Sequence, residues 1–430
     1  MTSAPFVLEC QPAVRSLRLL DSSNSPSTSR LIDAIALKVS KARRIIIVTG
    51  AGISCNAGIP DFRSENGLYN MVKKEYPDAV VKGKDLFDSV LFSDPLSASV
   101  FCTFMARLRA CILEAHSTSV HKFIKLLHDK RKLLRCYTQN IDGLESQEDL
   151  SIGVEGKRAS VVQLHGDIHI LKCTLCNQKF EWTEEDSQLL EDGLFPECPK
   201  CFKNAEVRAS LGKRSPSIGG LRPNIVLYGE EHPDGDVIGR SITADIKAKP
   251  DMLIIAGTSL KVMGIKKLVR CAAKSVHEAG GVVVYINQSP VTATAWNGVI
   301  DYHIEADCDA WVEDLRTRNS KLFLRQTKVD VSSDSNSKMS KPSSNIGGPY
   351  TPKKPKRKYD VDSVVLKDIS KSCGGVRTSE RSGLSTPKRQ KITETVKEFA
   401  KPKLSHALVA TNLESCTRPS PVTEIIVAQL

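Results

Sequence analysis

The fold is decided by residues 45–70, "IIIVTGAGISCNAGIPDFRSENGLYN". The stretch begins with a continuous apolar run, which is typical of a strand buried on both faces of a parallel sheet. Gly50 and Gly52 follow as a Gly-x-Gly turn, which lets backbone N–H groups approach a pyrophosphate closely. Gly58 comes six positions after Gly52, where the dinucleotide fingerprint of dehydrogenases has three. The turn alone therefore fits a phosphate loop and a purely structural turn equally well.

Short apolar runs recur along the chain and alternate with segments of helical spacing. The runs predict further strands at Leu133–Thr138, Ile225–Tyr228, Met252–Ala256, Val282–Ile286 and Asp301–Ala306. The helical spacing predicts helices at Leu31–Arg43, Val100–Glu114, Val120–Asp129 and Gly264–Ala279. This alternation predicts an α/β fold, a Rossmann-like parallel sheet with helices on both faces.

Charge and composition divide the 430 residues into three parts. Residues 1–30 are rich in Ser, Pro and Thr, and we expect them to be disordered. Residues 31–326 carry the periodic pattern and are the predicted folded domain. Residues 327–430 lose periodicity, and Val331–Leu430 hold 18 Lys and Arg against 9 Asp and Glu, which is +9 of the net +12. We expect a basic, mostly disordered tail.

The sequence indicates neither a membrane span nor a secretory leader. We find no apolar run of the roughly 18–20 residues that a bilayer requires. The first 30 residues lack a charged region followed by an apolar one. Thirteen cysteines, an odd number, fit a reducing compartment better than a disulfide framework.

Four cysteines form two C-x2-C pairs, at Cys173 and Cys176 and at Cys198 and Cys201. Two such pairs complete a tetrahedral sulfur site for zinc. Four protein ligands leave no open position, so the predicted zinc is structural. The alternatives are unpaired free thiols or a redox C-x-x-C. The zinc lobe is expected at about residues 171–211.

Polar residues follow several of the predicted strands. Gln139, Asn140 and Asp142 come after one strand, and the segment Gly257–Ser259 comes after another. Ligands bind at the carboxyl ends of the strands in open α/β sheets. His165 precedes a glycine just before the cysteine module. Taken singly, each has a structural explanation as a turn, a helix cap or a hydrogen-bonded histidine. Their convergence on one crevice indicates a site.

At this point the chain resembles the sirtuins, the NAD-dependent protein deacylases. The motifs that carry the resemblance occur in family order: "GAGISCNAGIPDFRSENGLY", "TQNIDGLE", "LHGD", the two C-x2-C pairs, "RPNIVLYGE", "GTSLKV" and "YIN". They cover roughly residues 35–315 and are highly specific. The resemblance implies that NAD is consumed as a co-substrate and that no hydride moves.

The resemblance also implies roles for individual residues. His165 would be the general base, with Asn140 and Asp142 at the nicotinamide pocket and Val226, Leu227, Tyr228 and Gly229 receiving the acyl-lysine peptide. The residues that would contact NAD are Gly50, Ala51, Gly52, Ile53, Ile59, Asp61, Phe62, Arg63, Tyr69, Gln139, Asn140, Asp142, Gly257, Thr258, Ser259, Asn287, Gln288, Ser289 and Cys308.

Two positions depart from the family pattern. Asp167 follows "LHG", where a small or neutral polar residue is common, and we expect its charge to raise the basicity of His165. Tyr228 stands where phenylalanine is common, and we expect a mild effect. The rival functions are a mono-ADP-ribosyltransferase that uses the same pocket and a non-enzymatic NAD-sensing chromatin scaffold. Retention of the three catalytic side chains argues against the scaffold.

The C-terminal tail indicates where in the cell the protein acts. "TPKKPKRKYD" and "TPKRQK" contain basic clusters of the kind that direct nuclear import, although a solvated polybasic linker or non-specific DNA contact would use the same residues. Thr351 and Thr386 each precede proline and two basic residues, a pattern that cyclin-dependent kinases favour. The organisation resembles the fungal nuclear sirtuins, which implies acetylated histone H3 in chromatin as the substrate and the nucleus as the location.

Overall fold

A seven-stranded, fully parallel sheet forms the centre of the computed structural model, which describes residue 8 and residues 11–23, 25–77, 83–154 and 159–324. Its spatial order is β1-β10-β9-β8-β2-β3-β4. The strands are β1 (Arg15–Arg18), β2 (Ile45–Thr49), β3 (Leu133–Thr138), β4 (Val161–Gln163), β8 (Met252–Ala256), β9 (Val282–Ile286) and β10 (Tyr302–Glu305). The predicted Rossmann-like parallel sheet is therefore confirmed.

Both faces of the sheet are covered by helices. In β2, Ile45 and Ile47 pack into one apolar core, and Ile46 and Val48 pack into a second core on the opposite face. Every residue of β2 is buried, which explains the continuous apolar run in the sequence. Side chains of α1 (Pro26–Lys41), α4 (Ser119–Asp129) and α10 (Cys308–Arg318) fill the first core. Side chains of α7 (Gly235–Lys247) and α8 (Met263–Glu278) fill the second.

The helices agree with the predicted periodicity, with most ends shifted by a few residues. They are α1 (Pro26–Lys41), α2 (Leu68–Glu75), α3 (Pro95–Glu114), α4 (Ser119–Asp129), α5 (Glu184–Glu191), α6 (Pro199–Ser210), α7 (Gly235–Lys247), α8 (Met263–Glu278), α9 (Ala293–Trp296), α10 (Cys308–Arg318) and α11 (Ser320–Phe323).

The predicted disorder of residues 1–30 is wrong where the structure describes them, so the folded domain begins before residue 31. Strand β1 pairs in parallel with β10 and buries Leu17. It is an edge strand with a single buried residue, so no apolar run marks it. Helix α1 begins at Pro26, and the Ser25 hydroxyl accepts a hydrogen bond from the Thr28 backbone. Ser at the cap and Pro in the first turn are helix-start signals, which explains a composition that looked disordered.

A second, antiparallel sheet carries the cysteine module. Its order is β6-β5-β7, with β5 at Gly166–Cys173, β6 at Lys179–Glu181 and β7 at Leu221–Ile225. The prediction of a parallel strand at Ile225–Tyr228 is therefore wrong, because the strand ends at Ile225 and pairs antiparallel to β5. The residues after it leave the small sheet and run along the cleft described below.

Helix α3 shows why apolar length alone is a weak criterion for a membrane span. Its 20 residues have a mean hydropathy of 1.5 over the best window, but half of that window is buried inside the protein. Phe101, Met105 and Leu108 pack in a third core that the small sheet and α2 share. The helix is thus a core helix of this fold. The predicted tail, residues 327–430, lies outside the described residues.

Candidate active site

The glycine turn after β2 packs directly on the turn after β8. The Gly52 N–H donates to the Gly257 carbonyl at 2.8 Å, and the Gly50 N–H donates to the Ala256 carbonyl at 3.1 Å. Gly257 has a φ of +62°, and a Cβ placed there would lie 2.5 Å from the backbone nitrogen of Ile53. Side chains are excluded from this contact, so the floor beside it is backbone, as a close approach to phosphates requires.

A cleft of about 750 Å³ opens above these turns, at the carboxyl edge of the sheet. It gathers most of the predicted site from seven separate segments of the chain. The predicted residues that line it are Gly50, Ala51, Gly52, Asp61, Phe62, Arg63, Tyr69, Gln139, Asn140, His165, Val226, Leu227, Tyr228, Gly229, Gly257, Thr258, Ser259, Asn287, Gln288, Ser289 and Cys308.

Ile53 does not line the cleft, contrary to its predicted place. Its side chain is buried in the core beneath the loop, and its carbonyl accepts a hydrogen bond from the Thr118 hydroxyl at 3.0 Å. Ile59 and Asp142 instead line a small void of about 20 Å³ below the cleft floor, together with Phe62 and Asn140.

Gln139 connects the glycine turns to His165. Its side-chain amide donates to the Thr49 carbonyl at 3.0 Å and to the Thr258 hydroxyl at 2.8 Å. Its backbone carbonyl lies 2.9 Å from Nδ1 of His165. Because a carbonyl can only accept, Nδ1 carries the proton and Nε2 of the neutral ring is left as the basic nitrogen.

Burial has the largest effect on the pKa of His165. It lowers the pKa of the imidazole below its usual value, the hydrogen bond to Gln139 opposes this, and the nearby His232 lowers the pKa further. The expectation that Asp167 raises the basicity of His165 is wrong. The Asp167 carboxylate accepts a hydrogen bond from the His169 backbone at 2.8 Å instead.

Ser54, Asn140 and Asp142 form a buried hydrogen-bond chain next to the small void. The Asn140 side chain donates to the Ser54 hydroxyl at 3.0 Å, and that hydroxyl donates to Asp142 at 2.8 Å. The Asn140 side-chain oxygen has no hydrogen-bond partner among the described residues. A buried acceptor without a partner is costly, so the site fits a ligand that brings N–H groups, such as a carboxamide.

Behind Asp142 lie two buried groups that sequence reasoning missed, His121 and Glu145. The side-chain atoms of His121, Asp142 and Glu145 that could bind a metal all lie within 4.8 Å of one another. Burial and then the charge of Asp142 raise the pKa of Glu145 to about 8. Burial lowers the pKa of His121 to about 4. The available signal was one polar residue within an otherwise apolar helix face, since Val120, Phe123 and other α4 side chains around His121 are buried.

The loop after Gly58 closes one side of the cleft. Asp61 accepts hydrogen bonds from the backbone of Arg63 and of Ser64, each at 2.7 Å, which folds the loop around the carboxylate. The ring of Phe62 packs against Tyr69, with ring centroids 5.8 Å apart. Ser64 also lines the cleft and was not predicted.

The segment Val226–Gly229 lines the opposite side without being a strand. The Val226 N–H donates to the His165 carbonyl at 2.9 Å. The Tyr228 N–H donates to the Phe87 carbonyl at 2.7 Å, and the Tyr228 carbonyl accepts from the Ser89 N–H at 2.9 Å. The segment thus bridges His165 and a distant loop, and it turns at Gly229, where φ is +82°.

The far end of the cleft is formed by the turn after β9 and the start of α10. The Asn287 side chain donates to the Ser289 carbonyl at 2.9 Å, and the Tyr285 hydroxyl donates to the Thr258 carbonyl at 2.8 Å. Cys308, the first residue of α10, is buried with its sulfur 3.8 Å from the Ile286 carbonyl. These contacts hold the turn as a shelf beside Gly257.

The four predicted zinc ligands converge at the base of the small sheet. All four sulfurs lie within 4.8 Å of one another, with 3.8 Å between Cys173 and Cys201 and 3.7 Å between Cys176 and Cys198. A tetrahedron with Zn–S bonds of about 2.3 Å has edges of about 3.8 Å, so the residues fit zinc. Backbone N–H groups point at the Cys173 sulfur, and the pKa of this thiol is lowered to about 7.

Comparisons with known proteins agree with this arrangement. The Sir2 family profile matches residues 50–264. The chain is 48% identical over 332 residues to the NAD-dependent histone deacetylase HST3 of Candida albicans, covering 73% of this chain and 68% of that protein. It is 41% identical over 397 residues to the protein of the same name from Saccharomyces cerevisiae, covering 84% and 89% of the two chains.

Solved structures give the same fold. A Sir2 homolog–NAD complex is 24% identical with a TM-score of 0.50, over 67% of this chain and 94% of the other. A Sir2 protein with a deacetylated p53 peptide and 3′-O-acetyl ADP-ribose is 25% identical with the same TM-score, over 67% and 97%. The sequence match, the four-cysteine lobe and the cleft at the carboxyl edge of the sheet lead to one conclusion: this chain belongs to the Sir2 family.

Proposed function

We propose that this protein is an NAD-dependent histone deacetylase. The observation that carries the proposal is the pairing of two features in one cleft. His165 has an acceptor nitrogen held in place by Gln139, and Asn140 has a buried oxygen that lacks a partner within the described part of the chain. The first suits a general base, and the second suits the carboxamide of nicotinamide. The histone deacetylase names of the fungal relatives support the same assignment.

In this proposal the cleft orients NAD for cleavage. The backbone floor at Gly50 and Gly52 takes the phosphates, and the shelf at Asn287–Ser289 takes the adenosine half. The nicotinamide lies in the cleft beside Asn140, and its carboxamide points toward the small void that Asn140 and Asp142 line. Phe62 and the rest of the loop exclude water that would otherwise hydrolyse the activated ribose.

The acetyl-lysine enters between His165 and the segment Val226–Gly229. Its carbonyl oxygen attacks the anomeric carbon as nicotinamide leaves, which gives an O-alkylamidate. His165 accepts a proton from the ribose hydroxyls through Nε2, so that the 2′-oxygen can attack the amidate carbon. Water then releases lysine and O-acetyl-ADP-ribose. We expect the peptide to bind beside this segment as an added strand.

Zinc in the four-cysteine site has a structural role in this proposal. All four positions are protein sulfurs, so no ligand position is open for substrate. The site ties helix α6 and strand β5 together at Cys198, Cys201 and Cys173. Zinc would therefore stabilise the lobe next to the peptide-binding segment.

We further propose acetylated histone H3 in chromatin as the substrate and the nucleus as the location. The basic clusters of the tail, at residues 353–358 and 388–391, would direct import and could add non-specific DNA contact. Phosphorylation of Thr351 and Thr386 by a cyclin-dependent kinase would place negative charge beside these clusters. A protein with both threonines changed to alanine that keeps wild-type abundance and location through the cell cycle would rule out this regulation.

The test is deacetylation of acetylated histone H3 peptides and nucleosomes with and without NAD. We expect turnover only with NAD, and a loss of at least about 100-fold for His165→Ala, since general-base catalysis contributes roughly 10²–10⁴. Turnover without NAD, or an undiminished variant, would overturn the proposal. Radiolabelled NAD that marks protein without forming acetyl-ADP-ribose would show an ADP-ribosyltransferase instead.

A further inference from the structure

Arg63, Tyr69 and Tyr228 connect the two sides of the cleft. Nη2 of Arg63 donates to the Tyr228 hydroxyl at 2.8 Å, and the hydroxyls of Tyr69 and Tyr228 lie 3.4 Å apart. The guanidinium also lies over the Tyr69 ring, 5.5 Å from its centroid. The three side chains therefore meet at a single oxygen, the phenol of Tyr228.

Both ends of this network have a fixed backbone. On one side, Asp61 holds the Arg63 backbone N–H at 2.7 Å. On the other, the backbone of Tyr228 is bonded through its N–H to Phe87 and through its carbonyl to Ser89. The contact between guanidinium and phenol is thus built by two defined backbone positions and is not a meeting of two free side chains.

The hydroxyl of Tyr228 is the one atom that phenylalanine at this position would lack. Burial and the hydrogen bond to Tyr228 raise the pKa of Tyr69, so this phenol keeps its proton at neutral pH. The network therefore does not depend on an ionised tyrosine. A guanidinium bound to a neutral oxygen is a charge-assisted hydrogen bond, stronger than a neutral pair.

We propose that the Tyr228 hydroxyl is a latch that fixes the loop Asp61–Tyr69 to the segment Val226–Gly229. The inference rests on the proposed function for its two ligands, NAD on the loop side and the acylated peptide on the segment side. Because Tyr228 acts through Arg63, it is a positioning residue. A latched cleft closes around both ligands together, so each ligand strengthens the binding of the other by the same factor.

The test compares Tyr228→Phe with wild type in the full chain. We expect the Michaelis constant for NAD to rise about three- to tenfold with kcat within about twofold, because the lost bond is charge-assisted but Tyr228 is 40% exposed. We also expect the factor by which the peptide tightens NAD binding to fall. The melting temperature should stay unchanged. Tyr76→Phe is the matched control, since its hydroxyl also contacts an arginine, Arg107, at 3.3 Å but away from the cleft.

A second readout does not require enzymatic activity. Trypsin cleaves after Arg63, and a latched side chain should slow cleavage of the bond to Ser64. We expect Tyr228→Phe to be cut there several times faster and Tyr76→Phe to be cut at the wild-type rate. Wild-type cleavage rates for Tyr228→Phe would overturn the latch. If wild type shows no NAD-dependent deacetylation, the proposed function fails, and the trypsin experiment still decides the latch.

Discussion

The variant Glu145→Gln tests whether the buried carboxyl group behind Asp142 is neutral in the folded protein at pH 7. Glu145 is fully buried, and its pKa is about 8 against an ordinary value of 4.5, so the folded protein holds a neutral acid at pH 7. Folding at pH 7 must therefore take up a proton, at a cost of about 3 kcal/mol from the difference between 7 and 4.5. Glutamine has nearly the same shape as the neutral acid and needs no proton.

The direction in which stability changes with pH follows from the difference between the folded and unfolded pKa values of Glu145. A pKa raised in the folded state adds stability that is fully present below pH 4.5 and is lost as pH rises toward about 8. The stability of wild type should therefore fall relative to Glu145→Gln by up to about 1.4 kcal/mol per pH unit in this window, or about 5 kcal/mol in all. At pH 7 the variant should be the more stable protein by up to about 3 kcal/mol.

Urea unfolding at several pH values between 5 and 8.5 measures this difference. Taking wild type minus variant cancels the contributions of titrating groups that do not interact with Glu145, and the difference reports the coupled titration of Glu145, His121 and Asp142. Glu148→Gln is the matched control, because its carboxyl group lies on the same turn but is partly exposed, and its curve should stay within about 0.5 kcal/mol of wild type. A difference that does not change with pH would show that Glu145 is not held neutral in the folded protein.

The remaining predictions concern the zinc site, the glycine floor and the base. Cys198→Ser should lose the bound zinc by elemental analysis and make the lobe sensitive to protease, whereas the exposed Cys271→Ser should keep one zinc per chain. Gly257→Ala should abolish NAD binding in calorimetry and cost well over 1 kcal/mol, because its Cβ would lie 2.5 Å from backbone. Gly212→Ala, with a similar φ of +65° and no atom of the described residues within 4 Å of the added Cβ, should cost only about 1 kcal/mol and leave binding intact. On the acid side, kcat/KM should fall with an apparent pKa below 6.5, because burial lowers the pKa of His165 and the base must be neutral to act. A limb at or above 6.5 would contradict this.

The strands that sequence predicted well are those buried on both faces. Met252–Ala256 and Val282–Ile286 were predicted with their observed ends, because each is a continuous apolar run. Strand β1 escaped notice because it lies at the edge and buries only Leu17. The strand predicted at Ile225–Tyr228 was misplaced because its apolar residues line a cleft and a small antiparallel sheet, and periodicity does not distinguish these from a central strand.

The candidate site likewise contains some residues that the sequence predicted and others that it did not. Residues placed in short motifs came together in the cleft as expected, since strand ends share one edge of the sheet. Ser54, His121 and Glu145 were missed because their importance arises from contacts across the fold, such as the bond from the Ser54 hydroxyl to Asp142. The bond between Arg63 and Tyr228 joins positions 165 residues apart, and no local pattern indicates it.

We propose that His165 supports the transfer of an acetyl group from lysine to the ADP-ribose part of NAD. The most direct measurement is quantitative mass spectrometry of a single reaction with an acetylated histone peptide. We predict that wild type forms one nicotinamide and one O-acetyl-ADP-ribose for each acetyl group removed, and that His165→Ala forms O-acetyl-ADP-ribose at least about 100-fold more slowly. Deacetylation that releases free acetate without consuming NAD, or equal product formation by the variant, would exclude this role of His165.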